Sequence, residues 1–413
     1  MELATKQGFK QTEVGLIPED WEVFMIEDVS SVVGGGTPST KVSSYWNGSI
    51  EWFTPTEISN VKYSYSSVRK ITKEGLNNSS AQILPKGAIL MTTRASIGDL
   101  SILQNEACTN QGFQSLIAKD IISNEYLYYL MLTNRVNLLR NASGSTFLEI
   151  SPKKIKSIKI PLPPTLKEQK AIATALSDVD DLIASLEDLI AKKQAIKQGA
   201  MQQLLTPPHK GGKRLSGFSG EWVESELQQI CEVRGGGTPP TSVLEYWNGN
   251  INWFTPTEVG SQKFIFNSTR KITALGLKSS SAQLLSKGSI LLTTRASIGD
   301  AAILKNEACT NQGFQSLVPL NVKDSEFIYQ LILTKRNDLI SLSSGSTFLE
   351  ISPKKVKTLL VYIPKAIEER DAISKILSDM DTELEQLETK KAKYQQLKQG
   401  MLQELLTGTT RLV

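Results

Sequence analysis

Histidine is almost missing from this sequence. The one present, His209, lies in the stretch Pro207-Pro208-His209-Lys210-Gly211-Gly212-Lys213-Arg214. That stretch reads as a polar, solvated linker, and a lone linker histidine is neither a catalytic base nor a metal site. Cysteines number three, too few for a disulfide framework and without zinc-site spacing. They read as buried thiols of a reducing cytoplasm. No run of about 18 apolar residues could span a membrane, and no signal peptide is expected before Phe9. There is no G-x-x-x-x-G-K-[ST] phosphate loop, no G-x-S-x-G elbow and no Asn/Asp-Pro-Pro-Tyr/Phe motif; the pairs Pro163-Pro164 and Pro207-Pro208 have the wrong neighbours. Carboxylates such as Glu57 and Asp99 could form an acid/base pair in principle, but Asp99 is expected to pair with Arg94 across a tight turn. No catalytic role is expected for this chain alone, and no metal.

Strong charge of one sign is missing too. The net charge of 413 residues is +4. Residues 1–165 carry 16 basic and 15 acidic side chains, and 221–365 carry 15 and 12; residues 166–205 carry 5 and 6, and 366–413 carry 7 and 9. Slightly basic globular parts and slightly acidic helical parts permit a polyanion partner without requiring one.

What is present is duplication. GGGTP at Gly34 recurs at Gly235, an offset of 201 residues, and WFTPTE, TTRASIGD, NEACTNQGFQSL and GSTFLEISPKK recur at the same offset. LSDVD at Leu176 matches LSDMD at Leu377. The chain is a tandem repeat of one unit, a globular domain followed by a long helix. The expected parts are domain one at 1–164, a helix at 165–206, a linker at 207–220, domain two at 221–365 and a second helix at 366–413.

The helices carry a narrow apolar stripe. Thr165-Leu166-Lys167-Glu168 is a capping box. Ile172, Leu176, Val179, Ile183, Leu186 and Ile190 follow at steps of 4, 3, 4, 3 and 4. Ile373, Leu377, Met380, Leu384, Leu387 and Tyr394 repeat the pattern. Heptad spacing points to helix–helix pairing; the alternative is that each helix lies on its own domain. Because the linker is short, the pairing is expected to be antiparallel. A helix of about 40 residues makes a rod of about 60 Å.

Within the first unit, Ile50–Phe53, Ala88–Thr93, Leu100–Leu103 and Gln114–Ile117 read as strands. Glu125–Leu139 reads as one helix, and Ile155, Ile158, Ile160 and Leu162 as a last strand. The fold class is therefore α/β (α+β), as two mixed domains joined by two long helices forming an antiparallel coiled coil. The shared blocks are dense in side chains that read base edges or hold phosphates. Candidate nucleic-acid contacts are Thr92, Thr93, Arg94, Ser96, Asn110, Gln111, Thr146, Lys153 and Lys154. Their repeats are Thr293, Thr294, Arg295, Ser297, Asn311, Gln312, Thr347, Lys354 and Lys355. For any one of the polar residues, a hydrogen bond within a buried loop is the competing role.

The ordered set GFKQTEVGLIPEDWE at Gly8, GGGTP, TTRASIGD, ACTNQGF, the proline pair before the helix, KKQAIKQGAMQQLLT at Lys192 and LKQGMLQELLTGTTRL at Leu397 resembles the DNA-specificity subunit of type I restriction–modification systems. The resemblance covers almost the whole length. It implies two target-recognition domains, each reading half of a split site in double-stranded DNA. It also implies helices that dock two methyltransferase subunits and, through them, restriction–translocation subunits. No cofactor is then expected here; S-adenosylmethionine and ATP belong to the partners. The departure is the near-identity of the two domains, most members carrying unlike ones; it suggests a near-palindromic target. A twin-domain adaptor for protein or glycan is the alternative.

Overall fold

The computed structural model describes residues 7–59, 61–94, 96–143, 148–295, 297–344 and 349–412. It divides into two compact units, Met1–Leu186 with Lys390–Val413, and Glu187–Thr389. Each unit holds one globular domain, the start of one long helix and the end of the other.

In the first unit a five-stranded sheet has the order Ser30–Gly34, Gln114–Ala118, Ile89–Met91, Leu100–Leu103, Tyr63–Ser64. Neighbours are antiparallel except the last pair. Ile89–Met91 and Leu100–Leu103 are buried along their whole length, which is why neither alternates apolar and polar residues; the buried Ser101 shares a hydrogen bond with Ser64 at 2.7 Å. A second sheet centres on Trp46–Phe53, with Ala107–Thr109 parallel on one side and Arg69–Ile71 antiparallel on the other. Lys159–Leu162 pairs with Glu22–Met25. The second unit repeats this: Cys231–Gly235, Gln315–Pro319, Ile290–Leu292, Ala301–Leu304 and Phe264–Ile265 form the larger sheet, and Trp247–Phe254 centres the smaller.

The strands expected at Ile50–Phe53, Ala88–Thr93 and Gln114–Ile117 run Trp46–Phe53, Ile89–Met91 and Gln114–Ala118, and two other elements change in kind. The helix expected over Glu125–Leu139 is two, Asn124–Thr133 and Arg135–Asn141. Asn134 breaks it: its side-chain amide donates to the Leu130 carbonyl at 2.9 Å, a local bond that competes with helix continuation. Neither Ile155 nor Ile158 is in the last strand, which is Lys159–Leu162; Ile155 lies in the short helix Pro152–Lys156, where Ser151 caps the Lys154 amide. Serine at the cap and proline at the first helical position favour that start.

The long helices run Leu166–Leu204 and Ile367–Leu405. Thr165 Oγ1 accepts from the Glu168 amide at 3.2 Å, the cap the sequence announces. In the first unit Ile172 and Leu176 join the domain core together with Leu405 and Leu406. In the second unit Ile373 and Leu377 do so with Leu205. The first two turns of each stripe thus pack on a domain, as well as on the end of the other helix. Further along, Leu186 and Ile190 are buried, while Val179, Ile183, Met380, Leu384, Leu387 and Tyr394 are half-buried. Ion pairs give the direction. In the second unit Lys193 pairs with Glu383 and Lys197 with Asp381, so one number rises as the other falls. In the first unit Asp180 pairs with Lys398, and Glu168, further up its helix, with Arg411. Both segments are antiparallel.

The three thiols are buried. Cys108 sits among Trp52, Ile71 and Ala81. Loss of hydration pushes it up to about 11, and Cys231 and Cys309 up to about 12, as expected of inert core thiols.

Candidate nucleic-acid interface

Hydrogen bonds and an ion pair link the polar blocks shared by the repeats within each domain. The scaffold is the strand Trp46–Phe53. Trp52 is buried and donates its indole N–H to the Gly36 carbonyl at 2.8 Å; Trp46 donates to the Ser39 carbonyl at 3.1 Å. The two rings meet edge to face, 5.1 Å between centroids. The GGGTP segment can follow this path only with glycine. A Cβ on Gly35 would lie 2.0 Å from the Asn110 carbonyl oxygen, and one on Gly36 would lie 2.3 Å from the Ala81 amide. The glycines serve close backbone packing.

Next to it, Thr37 Oγ1 donates to Gln111 Oε1 at 2.6 Å. The exposed Gln111 keeps its amide NH2 for another acceptor. Asn110 Oδ1 accepts the Gly112 amide at 2.8 Å, and the Gly112 carbonyl accepts from Thr93 N at 2.8 Å. Arg94, exposed, follows Thr93 and pairs with Glu149 at 2.8 Å. In the second unit Thr238–Gln312, Asn311–Gly313 and Arg295–Glu350 repeat these contacts.

The candidates separate by burial. Thr92 and Thr93 are buried, as are Thr293 and Thr294. Their hydroxyls donate to the carbonyls of Ser96 and Gly112, and of Ser297 and Gly313. These four threonines hold loops and present nothing to a ligand, which corrects the expectation for them. Asn110 and Asn311 are half-buried and use their side-chain oxygen within a turn. Ser96 and Ser297 are half-buried. Gln111, Gln312, Arg94 and Arg295 stay at the surface. Lys153, Lys154 and Lys354 are exposed, while Lys355 is half-buried and donates to the Leu342 carbonyl at 2.7 Å. Thr146 and Thr347 lie outside the described residues.

The expected Arg94–Asp99 pair is also corrected. Asp99 pairs instead with Arg135 at 2.8 Å, and Asp300 with Arg336 at 2.6 Å. Arg135 and Arg336 begin the second of the two short helices, next to the Gly98 and Gly299 turns. Proximity across the fold decided the partner over proximity in sequence.

Sequence reasoning passed over Arg69 and Arg270. Each is exposed, with its guanidinium carbon 3.7 Å from the centroid of Trp46 or Trp247. The signal was the recurrence of R-K-I-T 201 residues apart, but only the fold brings it to the tryptophans. The linker too was misread as merely solvated. Arg214 pairs with the buried Glu369 at 2.7 Å, and Lys210 donates to the Tyr362 hydroxyl at 2.8 Å.

The model of the type I restriction modification DNA specificity domain matches residues 18–198 and again 219–399. The chain belongs to this family. Specificity subunits are the non-catalytic components of type I restriction–modification complexes, and this chain is one. It is 32% identical to the MjaIX specificity subunit of Methanocaldococcus jannaschii, covering 86% of each chain. It is 27% identical to the putative MjaX subunit of the same organism, over 98% of this chain and 97% of that one. Among solved structures, the S subunit from M. genitalium aligns with a TM-score of 0.59 at 17% identity, over 93% of this chain and 96% of that one. A chain from a type I system studied for complex assembly and conformational transition aligns at 0.62 and 19%, over 95% and 99%. These structures share the tandem fold with its long helices. Among the described residues no cluster of His, Cys, Asp or Glu could hold a metal ion, and no helix is long and apolar enough to cross a membrane.

Proposed function

We propose that each globular domain of this specificity subunit reads one half of a bipartite site in double-stranded DNA, and that the long helices carry two methyltransferase subunits to it. Restriction subunits join through those partners. S-adenosylmethionine and ATP bind to the partners. The observation that carries the reading is the duplicated polar edge, Thr37–Gln111 beside Arg94 and Thr238–Gln312 beside Arg295, exposed in both copies of a family domain. Amide and guanidinium groups are the side chains that fork to adenine and guanine edges. Exposed Lys153 and Lys354 suit phosphates.

Because the polar edge is the same in both copies, the half-sites are proposed to be near-identical sequences on opposite strands, as for two-fold proteins on operators. The exposed residues that differ, Tyr65, Ser66 and Val68 against Phe266, Asn267 and Thr269, limit the palindrome. The test is to assemble the chain with its methyltransferase partner and map the methylated bases. Two related half-sites at a fixed spacing are expected. Methylation without sequence preference would overturn the reading, and binding to protein or glycan but not to duplex DNA would favour an adaptor.

A further inference from the structure

Arg69 lies opposite Trp52 in the register of the smaller sheet. Its guanidinium carbon is 3.7 Å from the Trp46 ring centroid and 5.2 Å from that of Trp52. Arg270 repeats this over Trp247 and Trp253, at 3.7 and 5.3 Å. The rings cannot drift. All four indole N–H groups are tied to backbone carbonyls, those of Ser39 and Gly36 in one unit and Pro240 and Gly237 in the other. A flat guanidinium held against fixed aromatic rings is pre-ordered, with its N–H edge left to face outward.

Among the described residues that edge has no partner. Neither arginine has an ion pair or a side-chain hydrogen bond among the described residues, whereas Arg94, Arg135, Arg295 and Arg336 are each held by a carboxylate. Nor are the stacked arginines remote from the polar edge. Trp52 bonds to Gly36, Thr37 next to it bonds to Gln111, and the Gly112 carbonyl holds Thr93 beside Arg94. The tryptophan shelf under the guanidinium is thus joined by hydrogen bonds to the segment that carries that edge, and Val68, exposed like Tyr65, precedes Arg69 in the chain.

We propose that Arg69 and Arg270 are specificity-determining residues, each reading one guanine by a bidentate bond from the guanidinium to O6 and N7 in the major groove. This rests on the DNA-reading function proposed above. A preordered fork with five free donors matches that pair of acceptors, and tying up Arg94 and Arg295 with glutamates leaves them the weaker candidates. The arginine is common to both copies, so a guanine recurs at equivalent positions of the two half-sites. The neighbours Tyr65 and Val68, against Phe266 and Thr269, set any difference beside it.

The experiment uses the full chain assembled with its methyltransferase subunits, on the site given by the wild-type methylation map. Binding is measured on that site, on duplexes with each guanine replaced singly by 7-deazaguanine, and on random duplex. For wild type, replacement at one guanine in each half is expected to weaken binding about tenfold or more. Arg69→Ala is expected to bind the unmodified site about tenfold to a hundredfold more weakly and to become indifferent to that guanine in one half only. Arg270→Ala does the same in the other half. Arg69→Lys keeps the charge and loses the fork, so it retains affinity for random duplex but not the discrimination. Equal losses on site and random duplex would make Arg69 a phosphate contact and overturn the assignment. So would guanine sensitivity that survives in both alanine variants, or no loss in either. If wild type itself does not prefer its mapped site over random duplex, the DNA-reading function fails, not only this assignment.

Discussion

Arg411 closes on Glu168. The guanidinium donates to Glu168 Oε2 at 2.8 Å and, in the same grip, to both carboxylate oxygens of Asp20 at 2.8 and 2.9 Å. Glu168 is only 2% exposed and stands in the first turn of a long helix, where the dipole favours an acid. The second unit makes the same clasp with Arg214 and Glu369, but Arg214 arrives through the linker. Arg-Leu follows the first helix at Arg214-Leu215 and the second at Arg411-Leu412, with four fewer residues between Thr407 and Arg411 than between Thr206 and Arg214. One closing device therefore serves both units despite different connecting lengths.

Arg411→Ala strands the buried Glu168 carboxylate and is expected to destabilise the first unit by about 2–4 kcal/mol, read from the denaturant midpoint. Adding Glu168→Gln should recover part of the loss. An unchanged midpoint for Arg411→Ala would mean the clasp contributes nothing. The hydrogen bond from Arg411 also holds the Asp20 carboxyl below its ordinary value. A lowered folded pKa gives stability that is complete above about pH 4 and lost as pH falls through the lowered value. The gap between wild type and Arg411→Ala is therefore expected to shrink in acid, modestly, since Asp20 is half exposed.

The antiparallel pairing is open to a charge swap. Asp180→Lys or Lys398→Asp alone should cost up to about 1 kcal/mol, because these partners are only partly buried. The double swap should restore part of the loss, the remainder reflecting the Tyr129 hydroxyl, which donates to Asp180 at 2.7 Å and has no acceptor in a lysine. Leu186→Asp should cost several kcal/mol by burying an unpaired charge, and Leu387→Asp less, since Leu186 is buried and Leu387 half-buried. Melting and helicity unaffected by both leucine changes would show that the stripe does not pack.

Lys153→Ala is expected to weaken binding to the mapped site and to random duplex by similar factors, and to lower the salt slope by about one. Glu149→Gln removes a negative charge and frees Arg94, so it should tighten DNA binding. If Glu149→Gln leaves binding unchanged at low salt, Arg94 and Glu149 are a structural pair away from the duplex.

The thiols should resist alkylation in the folded chain at pH 8, and all three should react once it is unfolded. Fast labelling of Cys108 or Cys309 in the native state would contradict their place beneath the tryptophan strands.

Much of this molecule is legible without coordinates. Duplication needs only a constant offset. Each long helix needs its heptad steps, and the first also its Thr165 cap, all local patterns. The partners of charged side chains are not legible in that way. Arg94 is five residues from Asp99, yet binds Glu149, because the chain folds back so that the backbones at 94 and 149 bridge. Thr92 and Thr93 look like surface readers until burial is known; their hydroxyls turn inward because a loop carbonyl lies within reach of each.

The sequence by itself determined the repeat, the two long helices, the family and the lack of a catalytic apparatus, because these depend on residue order and residue type alone. Only the tertiary structure decided which polar groups remain available to a partner. Availability depends on what else lies within about 3 Å of each donor, and those neighbours come from distant parts of the chain. Trp46 and Arg69 are 23 residues apart in sequence, and it is the antiparallel pairing of their strands that stacks one on the other and leaves the guanidinium edge free.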